Sequence, residues 1–483
     1  MIIIVLGVPF LLGLFALSAL LGKQAAQYSL WEKLALAFSI GLGLLAILMY
    51  ALSLAKLPLN LPVIGTAVFI IIALISIYLI ASKTFCLSVS EMKSAFIFKD
   101  LKFNWFESLL LGLIGLKVIY AFFTALAKPL VDVDAFLYYS IVGKGIYYTG
   151  NFFDPYLKQF LSDKPPLPFL MQGWAFIGLG RIDDALFKII TPALFLCLII
   201  IFYSALKRFF LRWFSLLFTF LLATLPFLLY HIGTAYSDFP VTFYYSVGTF
   251  YLFLFLKEFD QEKETNGTFL PLALIFLALS IWAKKAGLIL TAIDIFILFI
   301  FLFNLKNALT KRTLRSLALG LSLLFLLAIP VLVQGGFRTT IGILTSLSSH
   351  RPAATAIDTF QPTPGLFERT STIMFTFSRK LFLYADWHLL WPLFIFSLIF
   401  FFRQAFSPPL VYLLIITILG LLSVFVQFES GGTFRWLLDG TLLDRLVMTT
   451  APSSLLFSAY AFGFNRSTSI PDNLKTKPAT AKK

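Results

Sequence analysis

Two aspartates that stand one residue apart, Asp132 and Asp134, are the side chains of this sequence best suited to chemistry. In an extended or turn conformation, residues two positions apart project to the same side. Such a pair could bind a divalent cation through oxygen, or one carboxylate could act as a general base while the other positions it. Alternatively, Asp134 only caps a helix, since the sequence predicts one from Ala135 to Tyr148 with Gly150 just past its end.

A second charged segment, Asp163-Lys164-Pro165-Pro166, follows in the same polar stretch. The prolines fix an extended backbone and stop any helix before them, so they would hold Asp163 and Lys164 in a defined direction. A simple turn with solvated charges is the alternative.

The other candidate site residues stand later in the chain. Asp238 opens an apolar segment, Lys284 and Lys285 separate two apolar halves, and Arg435 and Arg445 lie around the start of the last apolar segment. Lysine and arginine could neutralise a phosphate group in a substrate, arginine through two parallel hydrogen bonds. Helix capping by the aspartate, and anchoring of the cations at a membrane interface, are the alternatives.

The amino-acid composition indicates which class of protein structure positions these residues. Of 483 residues, 59% are hydrophobic and 13% are charged, with a mean hydropathy of +0.92. Apolar runs of about 20 residues recur along the chain, which predicts an all-α polytopic membrane protein with about 12–13 transmembrane helices. The predicted spans are 1–22, 33–55, 62–82, 105–127, 184–206, 213–231, 236–256, 269–283, 286–304, 315–334, 386–402, 409–428 and 441–463, and 168–180 is a shorter apolar piece at the interface.

The predicted helix from Ala135 is amphipathic, with Ala135, Tyr139, Val142 and Ile146 on one face. An amphipathic helix rich in tyrosine is typical of the membrane interface, so we expect juxtamembrane helices in the loop 128–168. The predicted organisation is three N-terminal helices with a cytoplasmic loop over 1–104, a catalytic membrane module over 105–334, an external loop or lid over 335–385, C-terminal helices over 386–464 and a disordered basic tail over 465–483.

The net charge of +15 fits lysine and arginine in cytoplasmic loops, which fix membrane topology, and nucleic acid is not an expected partner. With the N-terminus outside, the basic clusters fall on the cytoplasmic side, whereas the loops 128–168 and 335–385 face outward. We therefore expect an integral protein of a bacterial or archaeal plasma membrane, in contact with its lipids, with an outward-facing site. The two cysteines, Cys86 and Cys197, predict no disulfide framework and no thiolate metal site.

The order of these motifs resembles the C-type (GT-C) glycosyltransferase superfamily, with protein O-mannosyltransferases and aminoarabinose transferases as the nearest branches. The motifs are an acid before an amphipathic helix, a Tyr147-x-x-Gly150-x-x-x-x-Pro155 pattern, the Lys164-Pro165-Pro166-Leu167 re-entry, Tyr236-Ser237-Asp238-x-Pro240, and Asp444-Arg445. The resemblance covers 105–300 well and the rest weakly. The acids are adjacent in the relatives but separated by one residue here, and the catalytic loop follows the fourth span rather than the first.

The resemblance implies an inverting transferase that moves a hexosyl or pentosyl group from a polyprenyl-phosphate donor to a lipid, glycan or protein acceptor on the extracytoplasmic face. It places Asp134 at the proposed base, leaves Asp132 as the alternative, and puts Arg445 against the lipid phosphate. A divalent cation on Asp132, Asp134 and Asp163 is an option that a monophosphate donor does not require. The alternative function is a transporter or flippase of lipid-linked sugars, which would carry its charges near the bilayer midplane on broken helices.

Overall fold

The computed structural model describes residues 1–84, 103–161, 164–262, 268–304, 311–331, 365–429 and 433–463. Every regular element in these ranges is a helix and none is a strand, which confirms the predicted all-helical class. Asp163, Cys86 and the predicted tail from 465 lie outside the described residues.

The helices, in chain order, are α1 (Ile2–Leu21), α2 (Leu30–Leu54), α3 (Leu61–Ser82), α4 (Trp105–Ala127), α5 (Ser140–Thr149), α6 (Lys158–Leu161), α7 (Leu167–Leu179), α8 (Ile190–Lys207), α9 (Arg212–Ala223), α10 (Pro226–Ile232), α11 (Asp238–Glu262), α12 (Phe269–Ala283), α13 (Lys285–Asn304), α14 (Lys311–Val331), α15 (Leu366–Phe382), α16 (Leu390–Phe400), α17 (Phe402–Ala405), α18 (Leu410–Glu429), α19 (Phe434–Leu438), α20 (Leu443–Val447) and α21 (Ala451–Gly463). A π-helical turn, Ala135–Tyr139, leads directly into α5.

Within the described ranges, nine helices are long and apolar enough to cross a membrane. The pair α9 and α10, bent by 63°, adds a tenth if it counts as one span. The other predicted spans correspond to the shorter helices α12, α16 and α21. The predicted interfacial piece 168–180 is α7, and all of its residues are buried.

The first two helices form a close pair that is built into the bundle. A Cβ atom on Gly13 or on Gly41 would lie 1.8 Å from a backbone carbonyl oxygen of the opposite helix, so only glycine permits this approach. The indole nitrogen of Trp174 in α7 donates a hydrogen bond to the carbonyl oxygen of Val5, at 2.9 Å. The N-terminal helices therefore support the helices that carry the candidate site.

Helix α11 lies at the centre of the bundle, against α8, α12, α13 and α21. Its membrane-spanning part is entirely buried, as expected for a helix that is apolar around its whole circumference. Since α11 begins at Asp238, this packing places a carboxylate at one end of the core.

The predicted helix after Asp134 is present as the π-helical turn and α5, and Gly150 ends it in the left-handed conformation with φ of 65°. Its apolar face is buried, as the sequence predicts, at Ala135, Tyr139, Val142 and Ile146. That face packs against α7, because the glycines Gly143 and Gly173 let the two helices approach closely.

The predicted external loop 335–385 is described from residue 365 onward, where it forms α15. The helix is anchored to the end of α18: Arg369 donates to the carbonyl oxygen of Glu429 at 2.9 Å, and the Thr370 hydroxyl donates to the Glu429 carboxylate at 2.6 Å. This part of the predicted lid is thus a helix that is hydrogen-bonded to the end of α18.

Candidate functional site

Four charged side chains from distant parts of the chain meet in one ion-pair network. Arg445 Nη1 donates to Asp134 Oδ2 at 2.9 Å, while its Nε and Nη2 donate to Asp238 Oδ2 at 3.2 and 2.9 Å. Lys284 Nζ donates to the other oxygen of Asp238, Oδ1, at 2.6 Å. All four were candidate site residues in the sequence, and the structure brings them together.

The helix ends explain why these side chains converge. Asp238 is the first residue of α11, Lys284 lies at the break between α12 and α13, and Arg445 lies in the short helix α20. Asp238 is 0% exposed, so its charge requires close cationic partners. The two cations satisfy this requirement and are themselves only partly buried.

Asp134 differs from Asp238 in its exposure and in its role at the helix start. Its side chain is 36% exposed and makes no capping hydrogen bond to the turn that follows. The carboxylate instead pairs with Arg445, so the alternative that Asp134 only caps a helix is wrong. An exposed carboxylate held by one charged partner can be reached by another molecule.

The guanidinium of Arg445 is embedded in carboxylates and an aromatic ring. Its central carbon lies 4.7 Å from the ring centre of Tyr236. Burial alone would lower the pKa of Arg445, but the charges of Asp238 and Asp134 raise it well above its ordinary value. Arg445 is therefore a permanent cation, with one side fixed by a buried carboxylate and the other held by an exposed one.

Tyrosines line this site and remain protonated. Burial raises the pKa of Tyr236 to about 12, and burial also raises the pKa of Tyr139, whose hydroxyl shares a hydrogen bond of 2.6 Å with Ser237. Lys164, a predicted site residue, has its ammonium 3.7 Å from the ring centre of Tyr138. The Lys-Pro-Pro segment thus reaches the same region.

Asp132 has partners of its own and does not share those of Asp134. Lys128 Nζ donates to its Oδ2 at 3.0 Å, and the hydroxyl of Tyr230 donates to its Oδ1 at 2.7 Å. In this structure each of the two aspartates is therefore paired with a cation of its own. No group of three or more His, Cys, Asp or Glu that could hold a metal ion occurs in the described ranges, and Asp163 falls outside them.

The remaining predicted residues are placed differently. Arg435 is exposed on α19 and takes no part in the network of Arg445. Lys285 is half-buried at the first position of α13. Asp444, the neighbour of Arg445, accepts from Trp387 Nε1 at 3.0 Å and from Lys380 Nζ at 2.8 Å, so it links α20 to α15 and to the segment that follows α15.

The structure adds residues that the sequence analysis did not single out. Lys188 is 1% exposed and donates through Nζ to the carbonyl oxygen of Lys128, and Gln172 donates to the carbonyl oxygen of Ala235 at 2.9 Å. Both lie beside the network. A polar amide within the apolar run 167–179 was the signal for Gln172, because a buried amide needs hydrogen-bond partners.

Comparison with known proteins gives structural matches alone. No protein-family model and no curated protein matches the sequence. Two solved structures are similar to this chain, and both are of the oligosaccharyltransferase from Archaeoglobus fulgidus. The apo form aligns with a TM-score of 0.46 at 13% identity over 76% of this chain and 51% of that chain. The second, the oligosaccharyltransferase AglB in complex with an inhibitory peptide and a dolichol-phosphate, aligns with a TM-score of 0.40 at 14% identity over 75% and 51%.

The chain thus spans about half the length of the structures that it matches. At this level of similarity the alignment assigns no role to any residue, so the function has to be argued from the geometry of the site itself.

Proposed function

We propose that this protein is a membrane glycosyltransferase that moves a sugar from a polyprenyl-phosphate donor to an acceptor hydroxyl on the extracytoplasmic face. The observation that carries the proposal is the position of Arg445 between an exposed carboxylate and a buried one. This arrangement supplies a base and an anion-binding cation at one place. Displacement of a phosphate by a hydroxyl needs both.

The phosphate of the donor would take the place of Asp134 on Arg445. Asp238 holds the guanidinium through Nε and Nη2, which leaves Nη1 to face the exchangeable partner. A phosphate oxygen is a strong acceptor for this N–H group. Lys284, paired with Asp238, adds a second positive charge nearby. Donor binding would therefore release the carboxylate of Asp134.

Released Asp134 would act as the general base. It takes the proton from the acceptor hydroxyl as that oxygen forms a bond to the anomeric carbon. The bond from the anomeric carbon to the phosphate oxygen breaks, and the phosphate leaves with the electron pair. Arg445 then stabilises the negative charge that the leaving phosphate gains. Attack opposite to the leaving group inverts the anomeric centre.

The location of the charges supports an enzyme over a transporter. A transporter of lipid-linked sugars would place its functional charges near the bilayer midplane. Asp134, Asp238, Lys284 and Arg445 all lie at or beyond helix ends on one side of the bundle. Asp294 is a buried carboxylate inside α13, but it is held by Tyr245 at 3.0 Å and Thr249 at 2.8 Å, as a contact between packed helices would be.

The test is a transfer assay with purified protein, radiolabelled polyprenyl-phosphate mannose or polyprenyl-phosphate glucose, and membranes as the acceptor source, with and without a divalent cation. Asp134→Asn should lower label transfer by about 10²–10⁴-fold, because asparagine keeps the size of the side chain but cannot take a proton. Membrane insertion and thermal unfolding should stay close to the wild type.

Asp154→Asn is the matched control. Asp154 lies in the same loop, where its Oδ1 accepts the backbone N–H of Tyr156 at 2.9 Å, and asparagine preserves that bond. Transfer by this variant should equal that of the wild type. If Asp134→Asn also transfers at the wild-type rate, the base lies elsewhere. If the wild type transfers label from neither donor, the proposed function is rejected for those sugars.

A further inference from the structure

Helix α15 carries a row of large apolar side chains that are exposed. They are Phe367, Met374, Phe375 and Phe382, which are 88%, 54%, 61% and 45% exposed. Their spacing of seven or eight residues places them on one side of the helix. A continuous exposed apolar face of this kind marks a surface that binds an apolar partner.

Helix α15 is not itself a membrane span. It has 17 residues, and four of them are charged: Glu368, Arg369, Arg379 and Lys380. A span requires about 20 predominantly apolar residues. The nine helices of the described ranges that are long and apolar enough to cross a membrane do not include α15. A charged helix with one strongly apolar face is instead typical of the membrane interface.

The packing of α15 places it across the end of a spanning helix. The ring of Phe377 lies 6.1 Å from that of Phe425 and 6.4 Å from that of Phe428, centre to centre, and Thr370 is bonded to Glu429. These contacts all fall on the last five residues of α18. Thr370 and Phe377 are nevertheless about 10 Å apart along α15, so the helix crosses the end of α18 and does not run alongside it.

The surroundings of the apolar face favour lipid as the molecule that covers it. The candidate span α18 exposes Leu422 and Val426, by 50% and 42%, just before the turn that α15 crosses. A surface that contacts lipid therefore extends up to α15. At the edge of the face, the guanidinium carbon of Arg379 lies 5.3 Å from the ring centre of Phe375, and its Nη2 donates to the Tyr384 hydroxyl at 3.1 Å. Arginine and tyrosine beside an apolar face are typical of the headgroup level.

We propose that α15 is an interfacial helix whose exposed apolar face lies among the acyl chains of the leaflet on the side of the candidate site. Lys380 of α15 donates to Asp444 at 2.8 Å, and Asp444 directly precedes Arg445. The depth of α15 thus also places Arg445 near the level of the lipid phosphates. The inference concerns membrane lipid alone and does not rest on the proposed function.

The test is the accessibility of nitroxide labels to two reagents. Cys86 and Cys197 are replaced, and single cysteines are introduced in the full chain as Phe367→Cys, Met374→Cys and Phe382→Cys. The labelled protein is placed in nanodiscs of phosphatidylcholine and phosphatidylglycerol. Because oxygen concentrates in the bilayer and a nickel chelate stays in water, all three labels should collide more often with oxygen than with the chelate.

Thr372→Cys and Thr376→Cys are the matched controls. Both threonines are half-buried in the same helix. Thr376 projects from nearly the opposite side to Met374, since residues two positions apart differ by about 200° around a helix. Labels at both control positions should prefer the nickel chelate. Each position is judged separately, so a single variant that misfolds does not spoil the test.

The other outcomes each contradict the proposal. Preference for the chelate at Phe367→Cys, Met374→Cys and Phe382→Cys would show that the face is in water. Protection of these labels from both reagents would show that another part of the chain or a second copy covers it. The same preference at all five positions would show that α15 is entirely immersed or entirely in water, and that it does not lie at the interface.

Discussion

Arg208 and Arg445 lie at opposite ends of the helix bundle, and each is held by carboxylates. Arg208 follows the last residue of α8 and pairs with Glu32 near the start of α2, at 2.8 Å. The other end of α2 lies beside the loop of the candidate site, where the backbone N–H of Phe152 donates to Ser53 Oγ at 3.2 Å. The two arginines are similarly exposed, at 19% and 18%.

The two networks differ in whether another molecule can displace a carboxylate from its arginine. Glu32 is 2% exposed and also accepts from the Tyr251 hydroxyl at 2.7 Å, and Arg208 is covered by the rings of Tyr28 and Phe269. Arg445 has one buried partner, Asp238, and one exposed partner, Asp134. The Arg208 network, in which the carboxylate is buried, is a closed network that stabilises the packing of the helices. The Arg445 network is half-open, because a ligand can replace the exposed carboxylate of Asp134.

The largest expected effect is on stability, at the closed network. Arg208→Gln should lower the free energy of unfolding by about 3–5 kcal/mol, because it leaves Glu32 charged and buried without a cation. Thermal and chemical unfolding in detergent measure this change. The control is Arg181→Gln at an exposed pair with Asp183, where the cost should be about 0–1 kcal/mol. If both variants unfold alike, the network of Glu32 is not structural.

The next effect is on donor affinity, at the half-open network. Arg445→Gln should weaken binding of polyprenyl phosphate by about ten- to hundredfold, since one charge-assisted contact is lost. Lys284 still compensates the buried Asp238, so the protein should remain folded. Arg435→Gln, an exposed cation at the same end of the chain, should change affinity by less than about twofold. Equal affinities in both variants would place the phosphate elsewhere.

The smallest effect has the opposite sign and tests the exchange itself. Asp134→Asn should bind bare polyprenyl phosphate about three- to tenfold more tightly than the wild type, because the phosphate no longer competes with a carboxylate for Arg445. Asp154→Asn should not change this affinity. Weaker binding by Asp134→Asn would show that the carboxylate helps to build the phosphate site, and the exchange would be rejected.

Much of the fold follows from the local pattern. Apolar runs fix the helices, and Gly150 marks the end of the helix after Asp134, since glycine readily takes the left-handed conformation. Asp294 in the apolar helix α13 is fully buried in the protein, because an isolated charge in lipid is costly. The extent of α15 was not predicted, as a segment of scattered charge and threonine has a weak helical signal.

The sequence by itself determined which residue types the site contains and that they lie near helix ends. It could not say that Arg445 pairs with Asp134 and Asp238, which are 311 and 207 positions away, because such contacts depend on how the helices pack. The tertiary structure also decided that Asp132 pairs with Lys128 and not with Arg445. The sequence pattern that predicts a helix is local. The partner of a charged side chain depends instead on which helices pack together, and this packing is determined by close glycine contacts and by the burial of apolar faces.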